Sequence, residues 1–170
     1  MYAGLAHPFA EPIQGLTLLT AAMLAARCGS ARRSQALVLL LLAIIAGLVW
    51  AWVGNVSVFP GLQKFMLAQV ILNGILVLIG RQQLFGLVFL LSLLSGLSAG
   101  ANALPLPGDG MFATTAGSLA GSALVLIYIA GFTVWLERRE TTMAWLHLVP
   151  RVAGSWCAAA SFLMLALELR

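Results

Sequence analysis

The chain has 170 residues, of which 62% are hydrophobic and 8% charged, and it carries a net charge of +4. Soluble domains hold about 25% charged residues, so this composition excludes an ordinary water-soluble globule and makes a bilayer the expected solvent. The nine basic residues are scattered singly or in pairs at the ends of apolar runs, which explains them as topology signals and leaves no patch for nucleic acid.

A helical span needs about 20 residues to cross roughly 30 Å of hydrocarbon. On that measure the chain predicts an all-α polytopic membrane bundle of about six transmembrane helices, forming a single domain over residues 1–170. Met1 to Glu11 holds no basic residue and places His7-Pro8 and Glu11-Pro12 where the apolar core of a signal peptide would begin. No cleavable signal is therefore expected, and the first span stays in the protein.

That first span runs from about Pro12 to Arg27, short for a crossing, and ends at Cys28-Gly29-Ser30. The second, Ala36 to Val53, is the most continuously apolar and carries Trp50 and Trp52 where an interfacial aromatic belt belongs. A third span covers about Phe65 to Gly80, and Arg81-Gln82-Gln83 leaves so little loop that it forms a tight hairpin with the fourth, which starts near Leu84. Pro105-Leu106-Pro107-Gly108-Asp109-Gly110 then breaks the chain. The fifth span, about Ala113 to Trp135, pairs Gly117-x-x-x-Gly121 with Ser118-x-x-x-Ser122, a spacing that lets helix backbones approach closely. Glu137-Arg138-Arg139-Glu140 reads as a charged loop, Trp145 to Pro150 as an interfacial lead-in, and Val152 to Leu169 as the sixth span.

Basic residues set the orientation. Arg27, Arg32, Arg33, Arg81, Arg138, Arg139 and Arg151 fall on one side against Lys64 and Arg170 on the other, so both termini are expected on the outer, periplasmic side of a bacterial inner membrane. Cys28 and Cys157 then lie toward the reducing side, which disfavours a disulfide.

No catalytic constellation emerges. The acidic residues Glu11, Asp109, Glu137, Glu140 and Glu168 all fall at span ends or in loops, leaving no carboxylate pair for proton transfer inside the membrane. His7 and His147 lie on opposite expected sides, so they cannot share a metal. Within the spans the polar residues are neutral. Gln69 and Asn73 stand at i, i+4, and Ser95, Ala99 and Asn102 at i, i+4, i+7 share one helix face. Such residues serve most often as hydrogen-bonding contacts between helices, and otherwise as the lining of a pathway.

Over nearly its whole length the chain resembles the HupE/UreJ family of small bacterial membrane proteins, regarded as nickel or cobalt permeases. His7-Pro8 matches the family's opening His-Pro, while Ile13-Gln14 stand where it has Asp-His. The family's His-Gly-x-x-His-Gly, followed by an acidic residue and Leu-Pro, is similar to Ser95-Gly96-Leu97-Ser98-Ala99-Gly100, Asn102 and Leu104-Pro105. A family Leu-Leu-His-x-x-Gly resembles Leu126-Ile127-Tyr128-Ile129-Ala130-Gly131, with Tyr128 replacing histidine. The shaping glycines and proline remain, whereas of the compared imidazoles and carboxylates only His7 does. Hydroxyl, amide and methyl groups are far poorer ligands for a borderline metal than imidazole.

The resemblance therefore implies the family's fold with its metal site removed. The first expectation is a non-catalytic accessory or scaffold subunit of a larger inner-membrane complex, with lipid and other membrane subunits as partners and no cofactor. An alternative is a permease, for nickel or cobalt through His7, the sole metal candidate, or for a small solute along Gln14, Gln69, Asn73, Ser95, Asn102 and Tyr128. A third possibility is a subunit contacting pigment, quinone or lipid through Trp50, Trp52, Trp135, Trp145 and Trp156.

Overall fold

In hydrocarbon a backbone must satisfy its own hydrogen bonds, and charge-free runs of Leu, Ala, Val and Ile do so as helices. The computed structural model describes residues 11–53, 61–80, 85–103, 111–139 and 143–169. These form α1 (Pro12–Ala26), α2 (Ser30–Val53), α3 (Leu62–Ile79), α4 (Phe85–Ala101), α5 (Met111–Arg139), a 3-10 turn (Ala144–His147) and α6 (Leu148–Glu168). Four helical segments, Ser30–Val53, Leu62–Ile79, Phe112–Arg139 and Trp145–Glu168, are long and apolar enough to cross a membrane.

The other two helices are apolar but shorter, α1 with 15 residues and α4 with 17. α1 is the hub of the bundle. It touches all five other helices, and only Pro12, Gly15, Leu16 and Leu19 of its residues escape full burial. Enclosed by protein, it has no lipid-facing length to fill, which is why so short a helix can sit at the centre. Pro12 opens it at a position where the missing N–H has no helical partner to lose.

Around this hub the helices alternate in direction. Ile13 packs with Met66 and Leu67 at one end of the bundle, and Met23 and Leu24 pack with Val77, Val88 and Leu91 toward the other. That second end gathers the described arginines Arg27, Arg32, Arg33, Arg138, Arg139 and Arg151, while Lys64 falls at the end marked by Glu11. Between the two, Leu18, Leu40, Ile44, Leu48 and Leu126 form a third apolar cluster.

The outer helices are held by backbone contact. A Cβ on Gly100 would lie 2.2 Å from the Ile44 carbonyl oxygen, one on Gly96 2.7 Å from that of Leu40, and one on Gly47 2.3 Å from that of Leu97. Only glycine allows α2 and α4 to meet this closely. Gly74 and Gly154 do the same for α3 and α6, with a Gly74 Cβ placed 2.5 Å from the Gly154 oxygen. Gly80 ends α3 at φ 64° and would, with a side chain, run into the Arg151 guanidinium.

Several boundaries differ from expectation. α2 begins at Ser30 rather than Ala36, so Arg32 and Arg33 belong to its first turns. α5 continues to Arg139, so Glu137, Arg138 and Arg139 form its last turn rather than a loop. One contact accounts for both extensions: Arg33 pairs with Glu137 through Nη2 and donates through Nε to the Ala26 carbonyl. The arginines of that last turn also complement the negative end of the helix dipole. α6 starts at Leu148, four residues before the expected span, with Pro150 in its first turn where proline is tolerated.

Candidate functional site: a buried file of neutral polar groups

Polar residues from three helices converge beside α1. On α4, Ser92, Ser95, Ser98 and Asn102 climb one side of the helix, and the first three are almost fully buried. The spacing covers about three turns, or roughly 15 Å along the axis. From α3, Asn73 Nδ2 donates to Ser95 Oγ at 3.1 Å, and Gln69 Oε1 accepts from Ser98 Oγ at 2.8 Å. From α1, Gln14 Nε2 reaches the Ala99 carbonyl at 3.2 Å. At the open end, Asn102 Nδ2 donates to Glu11 Oε2, and both residues are only partly buried.

Toward the arginine end the file gives way to the apolar cluster of Met23, Leu24, Val77, Val88 and Leu91. It is also incompletely satisfied. Gln69 Nε2, Asn73 Oδ1 and Ser92 Oγ are buried without a protein hydrogen-bond partner. Turning either amide over would exchange donor for acceptor and still leave one polar atom over. Each such group costs about 1–3 kcal/mol when left dry, so water or a polar guest that reached them would be stabilised.

Five of the six pathway residues expected from the sequence are thus brought together: Gln14, Gln69, Asn73, Ser95 and Asn102. Tyr128 is not among them. It lies on the outer surface of α5, 73% exposed, because α5 turns Leu126 and Ala130 inward. His7 lies outside the described residues. Among the described residues no three His, Cys, Asp or Glu side chains gather where a metal ion could be held.

Glu11 belongs to the site although the sequence alone did not single it out, and Thr17 and Thr20 lie on the same helix as Gln14. Gln14, Thr17 and Thr20 stand at i, i+3, i+6, a spacing that puts them on one face and was available as a signal. The two threonines are occupied within α1, donating to the Ile13 and Leu16 carbonyls at 2.8 and 2.9 Å. Ser118 and Ser122 on α5 are also buried, and their hydroxyls have no protein partner. They share the face of Leu126, which packs in the cluster with Leu18 of α1.

At the arginine end the chemistry is different. Arg32 lies over the Phe85 ring at 4.8 Å, and the buried Cys28 sits in the turn between α1 and α2. Burial pushes its thiol up, against the lowering influence of Arg33 and Arg32, so it stays protonated at neutral pH. Cys157 on α6 is likewise free and buried.

Everything in the central file is an amide, a hydroxyl or a carbonyl, with one carboxylate at its mouth. Such a set donates to and accepts from an uncharged polar molecule, and it ligates a divalent transition metal poorly. Compared with known proteins, the chain matches no family model, no curated protein and no solved structure.

Proposed function

We propose that the protein is a multi-pass, non-enzymatic protein of a bacterial inner membrane, of the HupE/UreJ type, with a neutral polar site at its centre that admits a small uncharged solute. The observation that carries this reading is the convergence of Gln14, Gln69, Asn73, Ser95 and Asn102 on one file, with polar atoms of Gln69 and Asn73 still unpartnered in the protein. Of the positions that the resemblance picks out as former ligands, Gln14, Ser95, Ala99 and Asn102 lie together on α1 and at the end of α4, which supports the family reading, whereas Tyr128 faces outward. Orientation follows the arginines, with their end of the bundle in the cytoplasm and the Glu11 mouth facing outward.

The test is solute flux in proteoliposomes, with glycerol and urea as neutral probes and Ni²⁺ as the metal probe. Glycerol or urea entry faster than in empty liposomes, lost in Asn73→Leu and Gln69→Leu while Ni²⁺ stays excluded, is the expected result. Entry no faster than in empty liposomes would remove the permease.

A second reading, an accessory subunit of a larger membrane complex, is favoured by the apolar cluster of Met23, Leu24, Val88 and Leu91 beyond the file, which offers a solute no polar partner on that side. It predicts fixed-ratio co-purification with larger subunits after mild solubilisation. Elution of the chain alone would count against it.

A further inference from the structure

α2 leans on α4 through Gly96 and Gly100, while α5 leans on α1 through Leu126. α2 and α5 make little direct contact with each other, and a groove of about 550 Å³ lies between them on the outside of the bundle. Its walls are Leu37 and Leu41 of α2 and Leu126, Ala130, Gly131 and Val134 of α5, apolar along their length. From Ala123 to Arg138 the α5 wall rises about 22 Å at roughly 1.5 Å per residue, more than the half-thickness of a bilayer core of about 15 Å. The groove ends abruptly in polar chemistry. Trp135 and Arg138 complete its lining at the arginine end, beside the Arg33–Glu137 pair. Arg139 lies over the Trp135 ring at 5.8 Å.

An apolar slot the length of an acyl chain, capped by an indole and a guanidinium at one depth, matches the shape and charge of one lipid. We infer that the groove between α2 and α5 holds an acyl chain of an anionic phospholipid, with its phosphate against Arg138. The local charge favours an anion: at this end of α2 and α5 the described residues include Arg32, Arg33, Arg138 and Arg139 against Glu137, and Glu140 follows in the sequence, so the cations are in excess. The assignment depends on the membrane reading but not on solute passage, so flux through the polar file and lipid binding in the groove fail separately.

Native mass spectrometry of the full chain, released from mild detergent, tests it with phosphatidylglycerol and phosphatidylcholine of matched chains. Phosphatidylglycerol should bind its first site about fivefold more tightly, the contribution of one interfacial arginine. Arg138→Gln should bring the two lipids to parity, Ala130→Trp should fill the slot and remove first-site binding, and Lys64→Gln at the opposite end should change nothing. Parity in the wild type, or a preferred site that persists in either groove variant, overturns the inference. So does a wild-type dimer without lipid preference that Ala130→Trp dissociates, which would give the groove to a second copy of the chain. Arg138 is an exposed side chain, so the glutamine variant decides the matter even if the tryptophan variant fails to fold.

Discussion

Two faces of α4 and the turn after it, roughly 120° apart on the helix, use the eight residues from Ser95 to Asn102 in opposite ways. Gly96 and Gly100 have no side chains and press against the carbonyls of α2 so tightly that a methyl group would overlap them. Ser95, Ser98 and Asn102 reach out to Asn73, Gln69 and Glu11 with side-chain hydrogen bonds. The first face is held by shape, where one added carbon is costly, and the second by groups that exchange partners readily. Shape therefore carries the packing of α2 on α4, and the polar face takes no part in that close approach. Gly96 and Gly100 thus have a physical reason independent of any metal, since the close approach of α2 and α4 requires them.

Substitutions can break that contrast in order of size. Gly100→Leu forces a whole side chain into the Ile44 backbone and should cost about 3 kcal/mol or more in thermal unfolding in detergent. An unchanged melting temperature would show that the two helices can part freely. Gly96→Ala adds one carbon and should cost about 1–3 kcal/mol. Gly86 lies on the same helix with open space around it, so Gly86→Ala should be neutral or stabilising by less than about 1 kcal/mol. A loss at Gly86 equal to that at Gly96 would mean that helix propensity, not the close approach, governs α4.

The polar face should move stability least. A double-mutant cycle with Ser95→Ala and Asn73→Ala should give a coupling of about 0.6 kcal/mol, the average for such bonds in a membrane. A coupling of several kcal/mol would make the file a structural brace and weaken its reading as a site. Arg33→Gln with Glu137→Gln offers a calibration on a part-exposed ion pair, where coupling should stay below about 1 kcal/mol and fall with salt.

Much of the architecture was legible beforehand. The apolar runs, the breakers at Cys28-Gly29 and Gly80, and the arginines at alternate connections are local properties, and they led to the all-helical bundle and its alternating directions. Helix ends were less legible. Arg33 and Glu137 look like loop residues, yet they lie within α2 and α5 and pair with each other. Among candidate site residues, Tyr128 and Asn73 looked alike as polar side chains within apolar runs, yet one faces outward and the other is wholly buried.

By itself, the sequence determined that this chain is helical and apolar, with most of its arginines at alternate connections between apolar runs, because long runs without charge satisfy their backbone as helices and give charge no cheap place inside. Tertiary structure alone decided that the shortest candidate span lies at the centre, that Gln14 meets the turn of α4 where Ala99 stands, and that a groove lies between α2 and α5. Those outcomes depend on how each helix is rotated about its axis against neighbours distant in sequence. The rotation is settled by the closest backbone contacts, at Gly47, Gly96, Gly100, Gly74 and Gly154, and no single run of residues contains both sides of such a contact.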